Sequence, residues 1–578
     1  MDETCKKDNV AENDMDYDFN TPPPWYLSIA LGVQHFLTMC AGNAIMTIIV
    51  SNYLCLQDHS FIKSELISSS ILVMGISSFL QTILGCKLPI IQGASFVCVL
   101  SSISLLTSPE IKSCNGSENI QMQKMSISST APEAVALFKI RLLNGAIMIS
   151  SLIEIFMAVS GLLQLLTKLI SPLSLAAIFT VLSLNLSENL LQMIAEQWAI
   201  GIMGMVLSVV LIVMLSQVTL PIPFSKSNGQ WQFKRFKIFQ MCPIVMALGI
   251  LWILCGILTM SGVFSTNPKG WGYSARTDTK FQAIYDAKIV KFPYPCQWGT
   301  PLLLPSAIIG VVTAIILSII ESVGDYMITA DVCKAPNMPQ FAINRGIFIE
   351  GIGVFLSGFL GSITLPTSYS DNIGVMKITK AGNIRITQVS SAIMILCGIF
   401  PIFGAIFVSI PNPVVGGVLF IVCLFLMGCG INNFQYIDFL STRNIIIYGF
   451  SVSFGLYFPA WCTSNIKLIS VGYKPLDEII HILLTIHLFI VAVSSIFLDN
   501  VLPGNFYGNK CIHLTENGSK SVENCNKSHS ELEKSLAFDF IYLRWVALKF
   551  PCLQILPLFP AYRNLREEQV LDLEDSRL

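Results

Sequence analysis

Charge is scarce in this chain. Only 12% of its 578 residues are Asp, Glu, Lys or Arg, about half the roughly 25% of an ordinary soluble domain. The 35 basic and 36 acidic residues nearly cancel, so there is no polybasic footprint for nucleic acid. Cys and His clusters with zinc-ligand spacing are missing. The 17 cysteines are no disulfide scaffold, because many, such as Cys40, Cys98, Cys255 and Cys397, sit inside apolar runs as small hydrophobes. No Walker loop, Gly-rich dinucleotide turn, kinase motif or Gly-x-Ser-x-Gly elbow occurs, which leaves ATP-driven pumping and enzyme chemistry without support. The first 24 residues are polar and acidic with no apolar h-region, so no cleaved signal peptide is expected and the first membrane helix should act as an internal signal-anchor.

Apolar material is abundant: 53% of residues are hydrophobic and mean hydropathy is +0.66. That is too much for one soluble core, and it excludes disorder over most of the chain. Apolar runs recur from end to end, so the expected class is an all-α, polytopic membrane protein. A span needs about 20 mostly apolar residues. The clear candidates are Tyr26–Val50, Ser64–Gly85, Gly145–Leu163, Leu165–Leu184 (interrupted by Pro172), Trp198–Leu215 and Cys242–Val263 in the first half. In the second half they are Leu304–Ala330, Gly346–Ile363, Ile386–Val408, Val414–Ile431, Asn444–Trp461 and Ile479–Leu498. Two more stretches are apolar but broken: Leu88–Thr107 by Pro89 and Gly93, and Thr364–Thr379 by Pro366 and Gly374. Together they make about fourteen crossings.

Basic residues in short loops set the orientation. Lys226, Lys234, Arg235, Lys237, Lys334, Arg345, Lys377, Lys380, Arg385 and Arg443 all fall on one side if both termini are cytoplasmic. The loops at 108–144 and 264–302 then lie outside. Glycosylation is expected at Asn115, and less so at Asn185, which lies close to the bilayer. Cys114 and Cys296 are expected to pair across the outer loops, with Cys55 as a third candidate. The tail 501–578 reads as a mobile regulatory or trafficking segment.

The two broken stretches take the third position in each set of seven spans. Matching Gly/Pro-interrupted segments in two halves point to a transport site between inverted repeats, although Pro and Gly also kink ordinary helices. Intramembrane carboxylates mark the same region. Glu321 and Asp325, spaced i, i+4, share a helix face, and such groups normally mark a substrate, ion or proton site. Asp371 and Asn372 beside Gly374 suit a cation or a small polar ligand, or a helix N-cap. Gln34 and His35 stand mid-span and read as a polar network around the site. Glu154 and Glu350 are read equally as scaffold contacts or ion-coupling groups. Phe400, Phe403 and Phe407 recur as a packing or lipid-facing stripe.

On these residues the chain resembles the nucleobase–ascorbate transporters. That family's signature is Gln, Glu or Pro, then Asn-x-Gly, four variable residues and Thr. Here it reads Asp371-Asn-Ile-Gly-Val-Met-Lys-Ile-Thr379. The resemblance continues in Gln34-His35, Leu88-Pro-Ile-Ile-Gln-Gly-Ala-Ser-Phe96, Glu321-Ser-Val-Gly-Asp-Tyr326, Ala342-Ile-Asn-Arg-Gly-Ile-Phe348 and Pro293-Tyr-Pro-Cys-Gln-Trp-Gly299. The last three look like the vertebrate sodium-coupled branch, solute carrier family 23.

The resemblance implies a seven-plus-seven inverted repeat with short extended segments in the third and tenth spans. It implies an N-terminal tail 1–24, a core domain at 25–163 and 303–409, a gate domain at 164–263 and 410–500, an outer loop 264–302 and a C-terminal tail 501–578. Core movement past the gate would be elevator-like, in a homodimer at the plasma membrane. The substrate shell would comprise Gln34, His35, Ser95, Phe96, Glu321, Asp371 and Asn372, with sodium at Asp325 and Asn372, or a proton in its place. The departure is Asp371, where family members that carry nucleobases have Gln or Glu and mammalian ascorbate carriers have Pro. Two like charges about 4 Å apart repel by roughly 4 kcal/mol at an effective dielectric near 20, so an acid here disfavours the ascorbate monoanion. A nucleobase presents ring N–H donors that a carboxylate accepts well. The leading expectation is therefore sodium-coupled import of a nucleobase such as uracil, ahead of sodium–ascorbate symport. A channel and a transport-inactive family member are the remote alternatives.

Overall fold

The computed structural model describes residues 15–503 except 57–58, 109–110, 112, 115–131, 228–229, 237–238, 240–242, 286, 337, 466–467 and 470, and also describes 538 and 556–559. The expected glycosylation site Asn115 lies outside the described residues. The first half carries α1 (Trp25–Asn52), α2 (Ser60–Ile83), β1 (Gln92–Ala94), α3 (Phe96–Leu106), α4 (Pro132–Ser160), α5 (Leu162–Leu169), α6 (Pro172–Ala195) and α7 (Trp198–Val209). A hairpin of β2 (Leu220–Ser227) and β3 (Gln230–Phe236) precedes α8 (Pro243–Met260). The second half carries α9 (Pro305–Val332), α10 (Gln340–Phe359), β4 (Pro366–Ser368), α11 (Ser370–Thr379), α12 (Ile384–Gly398), α13 (Pro401–Val408), α14 (Asn412–Asn432), α15 (Thr442–Ser464), α16 (Lys474–Thr485) and α17 (His487–Val501).

Among the described residues, eight helices are long and apolar enough to cross a membrane, or up to ten if each bent pair is one span. Three expected spans differ in detail. The span expected at Leu165–Leu184 is instead α6, because Gly161 at φ +78° follows α4 and Ser171 caps a helix that starts at Pro172. Proline suits the first turn, where its missing N–H costs nothing. This shift puts Asn185 inside a helix rather than in an outer loop. The stretch Ile386–Val408 is not one helix: α12 and α13 meet at 84°. Pro401 starts the second piece, and Phe400 is its cap rather than part of a continuous Phe stripe. The stretch Ile479–Leu498 bends by 80° at Ile486, for which the local sequence offers no Pro or Gly.

Two groups of helices pack among themselves. α1, α2, α12 and α13 form one block, joined by α10, which packs on α2 and on α4; α9 in turn packs on α3 and α4. The other group is built on α14 against α6 and α7, with α15 and α17 against each other and against α6. Each group draws helices from both halves of the chain.

The outer-loop pairing also differs from expectation. Cys55 is bonded to Cys114, and Cys296 is free. Cys296 instead lies in a clamp, where its N–H donates to Phe359 O at 2.7 Å and Trp298 donates to Gly361 O at 2.8 Å. The described residues of the C-terminal tail are docked. Phe538 and Leu558 are buried, Arg345 donates to Phe538 O at 2.5 Å, and Asn344 donates to Pro557 O at 3.1 Å. Part of the tail expected to be mobile is therefore packed against the start of α10.

Candidate functional site

Both broken stretches fold the same way: a short strand followed by a half-helix. Leu365 precedes Pro366, and a residue before proline is pushed to extended backbone. β1 and β4 run antiparallel, with Gln92 opposite Ser368, Gly93 opposite Thr367 and Ala94 opposite Pro366. Ser95 N–H donates to Leu365 O at 3.1 Å, and Tyr369 N–H donates to Ile91 O at 3.0 Å, which extends the ladder at both ends. Each strand thus gives the other the backbone partners that lipid could not supply. Because the strands are antiparallel, α3 and α11 leave the ladder in opposite directions and their N-termini converge on it. Those N-termini bring unpaired N–H groups and partial positive charge to one place. Ser95 caps α3, accepting from Cys98 N–H at 3.5 Å, and Phe96 is its buried first residue.

α9 packs on β4 and α11 and supplies the carboxylates. Asp325 accepts from Ser368 Oγ at 2.8 Å and from Ser370 Oγ at 2.9 Å. Glu321 lies one turn away on the same face, and its Oε2 is buried with no partner among the described residues. Asp371 sits in the first turn of α11, beside Tyr369; its Oδ2 also lacks a partner among the described residues. Asn372 is buried, and neither atom of its amide has a partner among the described residues. On α1, which packs on β1, α3 and α11, Gln34 and His35 are buried with unpartnered Nε2, Oε1 and Nδ1. A buried polar group without a partner costs about 1–3 kcal/mol. Five of the expected shell residues, Gln34, His35, Glu321, Asp371 and Asn372, carry such atoms among the described residues.

Asp325, Glu350 and Asp371 all lie within electrostatic reach of Glu321. The ion pairs seen among the described residues, such as Arg276–Asp278 and Arg443–Asp499, lie elsewhere. Asp325 and Asn372 come to the same end of α11, next to the hydroxyls of Ser368 and Ser370. No group of three or more His, Cys, Asp or Glu forms a metal cluster among the described residues.

Glu350 has a bracing place. It accepts from Ser322 at 2.6 Å, Tyr326 at 2.9 Å and Thr367 at 3.2 Å, tying α9, α10 and β4 together. Glu154 is buried with one oxygen unpartnered among the described residues, and its Cγ lies 3.4 Å from where a Cβ on Gly351, beside Glu350, would stand. Several neighbours escape a reading of single residues. Tyr369 lies against Gly42 and Gly93, where an added Cβ would meet it at 1.9 and 2.4 Å. Gln92 is buried in β1 with an unpartnered amide. The available signal was the hydroxyl-rich run Thr364–Ser370, unusual for an apolar segment.

The chain matches the Permease family over residues 27–463. It is 33% identical over 573 residues to "Solute carrier family 23 member 2" of Mus musculus, covering 98% of this chain and 85% of that protein. It is 32% identical to "Solute carrier family 23 member 1" of Mus musculus, covering 96% and 90%. It is 28% identical to "Nucleobase-ascorbate transporter 3" of Arabidopsis thaliana, covering 84% of each.

Proposed function

This chain belongs to solute carrier family 23, among the nucleobase–ascorbate transporters, and on that premise we propose that it imports a nucleobase such as uracil together with sodium. The observation that carries the reading is the set of vacant acceptors and one vacant amide at the converging helix ends: Glu321 Oε2, Asp371 Oδ2 and Asn372. A nucleobase edge alternates ring N–H donors and carbonyl acceptors. The carboxylates take the N–H groups in charge-assisted bonds, and Asn372 offers both a donor and an acceptor. His35 and Gln34 close the site from α1, Ser95 and backbone N–H groups meet a carbonyl, and Phe96 stacks on the ring.

Sodium is assigned to Asp325 and Asn372, assisted by the Ser368 and Ser370 hydroxyls. A carboxylate cluster without an adjacent base favours a cation partner, because each close pair of like charges costs roughly 4 kcal/mol at about 4 Å and moderate dielectric. A proton on one carboxylate would relieve the same repulsion and is the alternative coupling ion. The core, comprising 25–163 and 303–409, carries the site past the gate, comprising 164–263 and 410–500, in an elevator movement. The segregated packing of the two helix groups supports that division. The working unit is a homodimer in the plasma membrane with both termini cytoplasmic.

Sodium–ascorbate symport is the second reading. The meeting of two helix N-termini favours it, since such ends receive anions. The deciding experiment is paired uptake of labelled uracil and ascorbate by cells expressing the chain, in sodium and in choline. Sodium-dependent uracil uptake, lost in Glu321→Gln at normal surface expression, is the expected result. Ascorbate uptake alone would reverse the substrate order.

A further inference from the structure

The disulfide between Cys55 and Cys114 joins two unlike environments. Cys55 follows the end of α1 and is buried, packed with Val135 and Phe138 of α4 and with Leu302. Cys114 is exposed, and it lines a cavity of about 480 Å³ that also reaches Tyr53, Glu188 and Asn189. Lys139 of α4 is buried, at 1% exposure. Its Nζ donates to Cys55 Sγ at 3.2 Å and to Tyr53 O at 3.2 Å. One sulfur of the pair therefore meets an ammonium inside the protein, and the other meets solvent.

That asymmetry sets the direction of thiol–disulfide exchange. A thiolate attacks one sulfur and expels the other, and the sulfur whose thiolate is the more stable leaves faster. A neighbouring ammonium stabilises a thiolate, so Cys55 is the leaving group and Cys114 is the sulfur attacked. Access agrees, since Cys114 is the exposed partner. The incoming thiol first loses its proton to water. A bond forms from its sulfur to Cys114 Sγ, the Cys55–Cys114 bond breaks, and that electron pair stays on Cys55 Sγ facing Lys139. The thiol is the one co-reactant required.

The release reaches beyond the two sulfurs. Cys55 holds φ at +62°, a left-handed conformation that residues other than Gly adopt rarely, and its bond to Cys114 is one of the restraints on it. Lys139 holds Cys55 and Tyr53 together. The Tyr53 hydroxyl in turn donates to Asn189 Oδ1 of α6 at 2.7 Å, which joins the α1 group to the α6 group. An ammonium drawn to a new thiolate holds Tyr53 O less firmly.

We propose that Cys114 is a thiol-exchange site. A small thiol takes it up as a mixed disulfide, Cys55 is released as a thiolate against Lys139, and the Tyr53–Asn189 contact slackens. Among the described residues lining the cavity, Glu188 is the one side chain of fixed charge. An aminothiol therefore suits the approach better than a thiol bearing an acid, and cysteamine is the probe. The exchange is independent of what the chain carries; its effect on uptake rests on the transport reading.

The test treats the purified full-length chain with limiting cysteamine, alkylates the thiols released and maps both groups by peptide mass. The expected product carries the adduct on Cys114 and the alkyl group on Cys55, a readout that needs no variant. Lys139→Met should slow the exchange about tenfold or more, and Lys139→Arg should retain most of the rate. Matching melting temperatures before treatment exclude misfolding as the cause. An adduct on Cys55, no adduct, or a rate unmoved by Lys139→Met overturns the site. In cells expressing the chain, the same treatment should change initial uptake about twofold or more. Unchanged uptake with the adduct in place overturns the link to Tyr53. A chain that moves neither solute fails the transport reading instead, and the adduct map then decides the exchange site by itself.

Discussion

Tyr369 fills the gap between Gly42 on α1 and Gly93 on β1, and it lies beside Asp371 at the start of α11. A methyl at Gly42 would meet Tyr369 Oη at 1.9 Å and Cζ at 3.0 Å, with no room to yield on the α1 side. Overpacking of this kind costs about 1–3 kcal/mol, and each 1.4 kcal/mol is about a tenfold change in an equilibrium. Gly42→Ala should therefore cut initial uptake about tenfold or more while surface biotinylation stays normal. Adding Tyr369→Phe removes the closest atom and should recover part of the loss; no recovery would place the fault elsewhere. Glu321, Asp371 and Asn372 were legible in the sequence because charge and amide groups are costly in a hydrocarbon layer and so stand out. Tyr369, Ser368 and Ser370 were not. Hydroxyls and tyrosines are common in such helices, and these matter only because strand pairing brings residues near 92 and 368 together.

Pro and Gly announced that the third and tenth spans would break, but they do not say what the chain does at the break. The pairing of β1 with β4 is set by unsatisfied backbone on each side, which no window of one segment contains. β4 is then pinned by Thr367, whose hydroxyl lies 2.8 Å from Ser318, 2.9 Å from Ser322 and 3.2 Å from Glu350. Thr367→Val keeps the shape and removes these bonds, leaving buried hydroxyls short of a partner at a cost of about 1–3 kcal/mol. The expected result is a lower melting temperature and a raised KM for substrate, since β4 carries the helix start that bears Asp371. An unchanged KM would mean the ladder alone holds β4. The bend after α12 had a visible cause in Pro401, whereas the bend at Ile486 had none, because there the fold bends a segment whose residues would permit a straight helix.

At the scale of the molecule, the outer loop ties the two helix groups together. Its first part holds the α6 and α14 side through Ser274 and Lys280. Its second part holds the α2 and α10 side, through the Lys291–Glu65 ion pair and through Gln297, which donates to Ser69 at 2.9 Å and Leu360 O at 2.8 Å. Sequence order hides this division, because each group is assembled from both halves of the chain. Between the groups at the same end, Tyr53 of the α1 terminus bonds to Asn189 of α6 at 2.7 Å. If transport moves one group past the other, this contact must part in every cycle, whereas contacts within a group need not. A cysteine pair at Tyr53 and Asn189, cross-linked by a short bifunctional thiol reagent in membranes, should arrest uptake of the transported solute. Each single-cysteine chain treated alike should keep its own rate, which controls for loss of the hydrogen bond and for reaction with native cysteines. Full uptake in the cross-linked pair would mean that these two helix ends travel together, and the moving boundary would then have to lie elsewhere than between α1 and α6.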